Sequence, residues 1–173
     1  MITKFVPFFL AFVVQTNAEE CIDHRFHGSE IMKCCLMPSG LPPESLTGCI
    51  KEAEQKVPDK DLKNYFACVS ECFLKKVGVL VYNSVNMKQV ERYMEELEPT
   101  ARDLRMDVWD VCAKAVPGIL KNNIGHNLKC HPLASQLKTC VSYLTNRHCP
   151  AVYLNDQSEI CRKIRSGVKP CEN

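Results

Sequence analysis

The residues with the most chemistry in this chain are its twelve cysteines, the last eight spaced as Cys68-x3-Cys72-x39-Cys112-x17-Cys130-x9-Cys140-x8-Cys149 and then Cys161 and Cys171. Cys21, Cys34, Cys35 and Cys49 precede them. Thiols pair oxidatively, bind metal or act as nucleophiles, and an even, dense set behind an export signal points to a disulfide framework. Zinc would have to draw on Cys130-His131 or His148-Cys149, and neither reproduces a short paired motif such as C-x2-C with H-x3-H. No metal and no cofactor are expected.

Enzymatic chemistry has equally little to stand on. The sequence holds no G-x-S-x-G elbow and no H-E-x-x-H zinc helix. Small secreted phospholipases follow a helical cysteine pair with a catalytic histidine, whereas Cys34-Cys35 is followed by Leu36-Met37-Pro38. Glu95, Glu96 and Glu98 read as a solvated helix end. The chain is expected not to be an enzyme.

Residues 1–18 read as a signal peptide: a positive start at Met1 to Lys4, an apolar stretch from Phe5 to Val14, and Thr16-Asn17-Ala18 as a small-residue exit site. The predicted mature domain is 19–173, secreted and extracellular, with no run long enough to span a membrane. A formal net charge of +2, which includes Lys4 of the signal, provides no basic field for nucleic acid.

The elements that position the cysteines are short and helical. Ser29 is placed as the cap of a helix running to about Met37, and Pro42-Pro43-Glu44 opens a second that ends near Val57-Pro58. After Asp59, Leu62, Phe66, Val69 and Phe73 recur at helical spacing, beside a stripe of Tyr65, Cys68 and Cys72, with Gly78 marking the end. Met87, Val90, Met94 and Leu97 form the inner face of a fourth helix stopped by Pro99. Thr100-x-x-Asp103 reads as a capping-box variant opening a fifth, with Leu104, Val108, Val111, Cys112 and Ala115 inward and Pro117-Gly118 closing it. Pro132 precedes a sixth through Leu133, Leu137, Cys140, Val141 and Leu144, and a seventh covers Ser158 to Arg165. Val77 to Tyr82 is the one strand-like stretch, without an evident partner. The expected fold is all-α: a compact, disulfide-stapled bundle of about six to eight short helices.

On such helices Cys68 and Cys72 lie one turn apart and must each reach a different element, as must the adjacent Cys34 and Cys35. Twelve cysteines still admit on the order of ten thousand pairings. Apolar stripes between the staples suggest a ligand cavity lined by Phe66, Phe73, Met87, Met94 and Leu97. Leu104, Val108 and Trp109 complete that set, with Tyr82 or Tyr93 as polar handles.

Cys68-x3-Cys72, the gap of about forty residues to Cys112, and Cys140-x8-Cys149 resemble the cysteine core of insect odorant-binding proteins. Cys130, Pro150 directly after Cys149, Cys161 and Cys171 resemble the additions of the Plus-C subclass. The resemblance implies the family's all-α fold around an apolar cavity, with a C-terminal extension. With Cys35 as the family's first cysteine, although Cys49 also fits, it implies pairing of Cys35 with Cys72, Cys68 with Cys140, and Cys112 with Cys149. The other six would form three further bridges. The function it implies is reversible binding of small hydrophobic molecules, such as odorants or pheromones, and their transport through sensory lymph or another body fluid. A sensory receptor and a second copy of the chain are its candidate protein partners. A secreted interaction module without a small-molecule ligand, using the stretch from Lys121 to Asn127 and the tail after Cys149, is the alternative.

Overall fold

The structure, a computed structural model, describes residues 21–59, 61–122, 128–169 and 171. The expected signal peptide and residues 123–127 lie outside them. Among the described residues the chain forms seven α-helices and one two-stranded hairpin, in the order α1 (His24–Ile31), α2 (Glu44–Lys56), α3 (Leu62–Lys76), β1 (Leu80–Val81), β2 (Ser84–Val85), α4 (Met87–Met94), α5 (Pro99–Asn122), α6 (Leu133–Arg147) and α7 (Glu159–Ser166). The fold is all-α.

The helix boundaries have local causes. Asp61 caps α3 by accepting from the Lys63 and Asn64 amides, and Asn86 caps α4 through Gln89. Ser158 caps α7, whose end is Gly167 at φ +98°, a left-handed stop that lets Gly167 N–H reach back to the last carbonyls. The start of α5 differs from the expected capping box. Glu98 accepts from the Thr100 and Ala101 amides at 3.1 and 2.8 Å, so the helix begins at Pro99 rather than ending the previous one there.

Three further expectations are corrected. The first helix ends at Ile31, with Ser29 inside it, because residues 34–36 run extended against 153–155: Leu36 N–H donates to Tyr153 O and Asn155 N–H to Cys34 O. The fifth helix passes through Pro117, since Val116 and Leu120 on that last stretch pack into the central core and outweigh the one lost hydrogen bond. Its inward face is turned accordingly, with Val108, Trp109, Cys112 and Val116 buried while Val111 and Ala115 are exposed. The strand-like stretch has a partner immediately beyond it, with Leu80 opposite Val85 and Val81 opposite Ser84.

The helices α3 and α6 occupy the middle. α3 packs on α2 and α6, while α6 also meets α5 and α7. The largest buried cluster joins Phe73, Leu74 and Val77 to Val90 and Met94 of α4, Val108 and Trp109 of α5, and Leu133, Leu137 and Val141 of α6. A second cluster, Ile22, Ile31, Tyr143 and Ile164, seats the N-terminal segment on α6 and α7.

All twelve cysteines are bridged, but not as the resemblance implied. Cys35 joins Cys149, not Cys72; Cys68 joins Cys130, not Cys140; Cys112 joins Cys140, not Cys149. Cys49 joins Cys72, and Cys34–Cys161 and Cys21–Cys171 complete the set. The reason is which elements face each other. α2 lies on α3, bringing Cys49 to Cys72, and α5 lies on α6, bringing Cys112 to Cys140. Cys35 is held in a β-bridge with Leu154 and meets the C-terminal extension instead. If Cys49, Cys68, Cys72, Cys112, Cys130 and Cys140 are numbered in order, the bridges run first to third, second to fifth and fourth to sixth. That is the interlocked order expected, shifted along the chain.

Candidate ligand-binding site

Eight of the ten residues assigned to a cavity from sequence come together. Phe73, Met94, Val108 and Trp109 are buried in the central cluster, and Met87, Tyr93, Leu97 and Leu104 pack against it partly exposed. Methionine side chains, with several rotatable bonds, can re-pack around differently shaped neighbours more readily than β-branched ones. Trp109 is 2% exposed, so its indole senses the interior.

The other two lie outside that cluster. Tyr82 is 89% exposed at the tip of the hairpin, at φ +53°, a conformation side chains tolerate only in tight turns. Phe66 is 43% exposed on the outer part of α3. Tyr93 does carry a polar group to the cluster, but its hydroxyl already donates to Val77 O at 3.1 Å.

Polar residues that sequence reasoning passed over bound the same region. Arg105 on α5, 9% exposed, donates from Nε to Pro38 O at 3.0 Å and from its two terminal nitrogens to Met37 O at 3.0 Å and Thr145 Oγ1 at 3.1 Å. Burial pushes its guanidinium down to about 10, still charged at neutral pH. It fastens the segment before α2 to α5 and α6. A charged residue inside an apolar helix stripe was the available signal, since buried arginine requires such partners.

Lys138 on α6 sends its ammonium between two rings of α3, 5.6 Å from the Phe66 centroid and 5.5 Å from that of Phe73. Burial pushes it below the ordinary lysine range. Ser70, fully buried on α3, has no hydrogen-bond partner for its hydroxyl among the described residues.

The histidine weighed as a metal ligand has a different part. His131 Nδ1 accepts from Leu133 N–H at 3.2 Å and its backbone N–H donates to Glu71 Oε2 at 3.0 Å, steadying the start of α6. Its neighbour Cys130 is consumed in a disulfide, as is Cys149 beside His148. Among the described residues no group of three or more His, Cys, Asp or Glu side chains is arranged to hold a metal, and no helix is long and apolar enough to cross a membrane.

No family model matches the chain, and no solved structure matches it. Over 154 residues the chain is 24% identical to general odorant-binding protein 68 of Anopheles gambiae, an alignment covering 82% of this chain and 69% of that protein.

Proposed function

We propose that this protein is a secreted carrier of small hydrophobic molecules, of the Plus-C type of insect odorant-binding protein. The observation that carries the reading is the bridge order. Six cysteines interlock first to third, second to fifth and fourth to sixth, and three more bridges tie the N-terminal segment to the C-terminal extension. Similarity to a mosquito general odorant-binding protein supports the odorant-binding part of this reading.

Covalent ties give such a fold a physical use. A cavity in a domain held only by packing costs about 24 cal/mol per Å³, so the helices tend to close on it. Bridged helices resist that closure, leaving the methionine and aromatic cluster free to part around a guest. Affinity then comes from apolar surface removed from water, about 25 cal/mol per Å², less the freedom the guest loses. Export by residues 1–18 and transport of odorants or pheromones toward a sensory receptor belong to this proposal.

The test is titration of the oxidised protein with N-phenyl-1-naphthylamine, followed by displacement with long-chain alcohols. Saturable one-to-one uptake, accompanied by a change in Trp109 emission and lost on reduction, is expected. No saturable uptake by protein whose six bridges are confirmed would overturn the reading.

A further inference from the structure

Phe66, Ser70 and Phe73 are separated by four and three residues on α3 and so share one face of that helix. The Lys138 ammonium lies over this face, near both rings. Phe66 is open to solvent, whereas Phe73 belongs to the central cluster, so the face leads from the surface into the apolar interior.

Two polar groups on this path are incompletely satisfied. Lys138 is half-buried, and among the described residues no carboxylate pairs with it. Taking an ammonium out of water costs more than a cation–π contact returns. The Ser70 hydroxyl, on the face between the rings, has no hydrogen-bond partner among the described residues. A native interior rarely leaves such a group alone unless something else fills its hydrogen bond. Both groups can donate, and both would be satisfied by one acceptor carrying negative charge with an apolar body behind it.

We propose that Lys138 and Ser70, between Phe66 and Phe73, receive the carboxylate of a fatty acid whose alkyl chain enters the central cluster. The proposal rests on the carrier reading and narrows it to acidic amphiphiles. The ammonium supplies charge and the hydroxyl direction, while the rings exclude water from the head group.

The experiment compares decanoate with 1-decanol by calorimetry on the full oxidised chain. Decanoate should bind at least tenfold more tightly. Lys138→Met should remove the preference by weakening decanoate at least tenfold, Lys138→Arg should keep it, and Ser70→Ala should weaken decanoate by about threefold. A readout that needs no variant is carbodiimide coupling of bound decanoate. The activated carboxyl forms an amide with a nearby amine as the urea leaves, and peptide mapping should find the amide on Lys138 ahead of the exposed lysines. Equal binding of acid and alcohol, or coupling spread over surface lysines, overturns the proposal and leaves the carrier reading standing. Binding of neither ligand overturns both.

Discussion

Replacing Arg105 with methionine removes three hydrogen bonds and leaves Met37 O, Pro38 O and Thr145 Oγ1 facing an apolar side chain. An unsatisfied buried acceptor costs about 1–3 kcal/mol, so the three together set an upper range of about 3–9 kcal/mol. Against this, methionine need not be desolvated as a guanidinium is, and neighbouring groups relax, which brings the expected net loss to about 3–5 kcal/mol. For a domain of this size each kcal/mol shifts Tm by about 2–4 °C, so a fall of about 10 °C should be visible. Arg105→Lys keeps the charge but not the fork and should lose about half as much. The control is Arg102→Met, one turn away, where an exposed guanidinium sits 3.7 Å from Asp103, and stability should stay within about 0.5 kcal/mol. Urea unfolding with bridges intact, followed by both helicity and Trp109 emission, measures all three. A loss below about 1 kcal/mol for Arg105→Met would refute the reasoning, because it would mean that the two carbonyls and the hydroxyl find other donors at no cost.

Gly118→Ala should stabilise by about 0.5–1 kcal/mol in thermal unfolding, since a methyl there meets nothing within 4 Å on an exposed helical turn. Gly40→Ala should destabilise by about 2–4 kcal/mol: Gly40 has φ +75°, and the new methyl would stand 2.7 Å from Met94 Cε and 3.2 Å from Tyr93 O, a carbonyl that cannot move aside. Peptide mapping under non-reducing conditions should recover Cys49–Cys72 and Cys35–Cys149 and no Cys35–Cys72 peptide. Glu98 is held below the usual carboxylate range first by the Tyr153 hydroxyl, 2.8 Å away, and then by the α5 amides. A depressed acid stabilises the fold above its unfolded pKa and ceases to as pH falls through its folded one. The Tm difference between wild type and Glu98→Gln should therefore be larger at pH 7 than at pH 2.5.

Local punctuation made the second, third and seventh helices legible: Pro42-Pro43-Glu44, the polar residues before Leu62, and Ser158 act within a few residues of where they stand. What depends on distant partners was not. Nothing near Ser29 tells that residues 34–36 must lie straight beside 153–155, and nothing near Pro117 tells that Val116 and Leu120 have a core to fill. The family resemblance carried the interlocked order but not its starting point, because Cys35 and Cys49 differ only in whether the C-terminal extension or α3 lies opposite. The apolar members of the central cluster followed from periodicity. Phe66 and Tyr82 fall outside the central cluster, the first in the early part of α3 and the second at the hairpin tip, and Arg105, Lys138 and Ser70 gain meaning only from groups 30 or more residues away or, for Ser70, from the lack of a partner among the described residues.

The Cys21–Cys171 bridge joins positions 150 residues apart and so turns almost the entire polypeptide into a loop. One proteolytic cut between those positions cannot release a fragment, since both pieces stay bonded through sulfur. On a denaturing gel, nicked and intact molecules should migrate with the same mass until thiol is added, and the protein can pass through a protease-rich fluid cleaved once yet still in one piece.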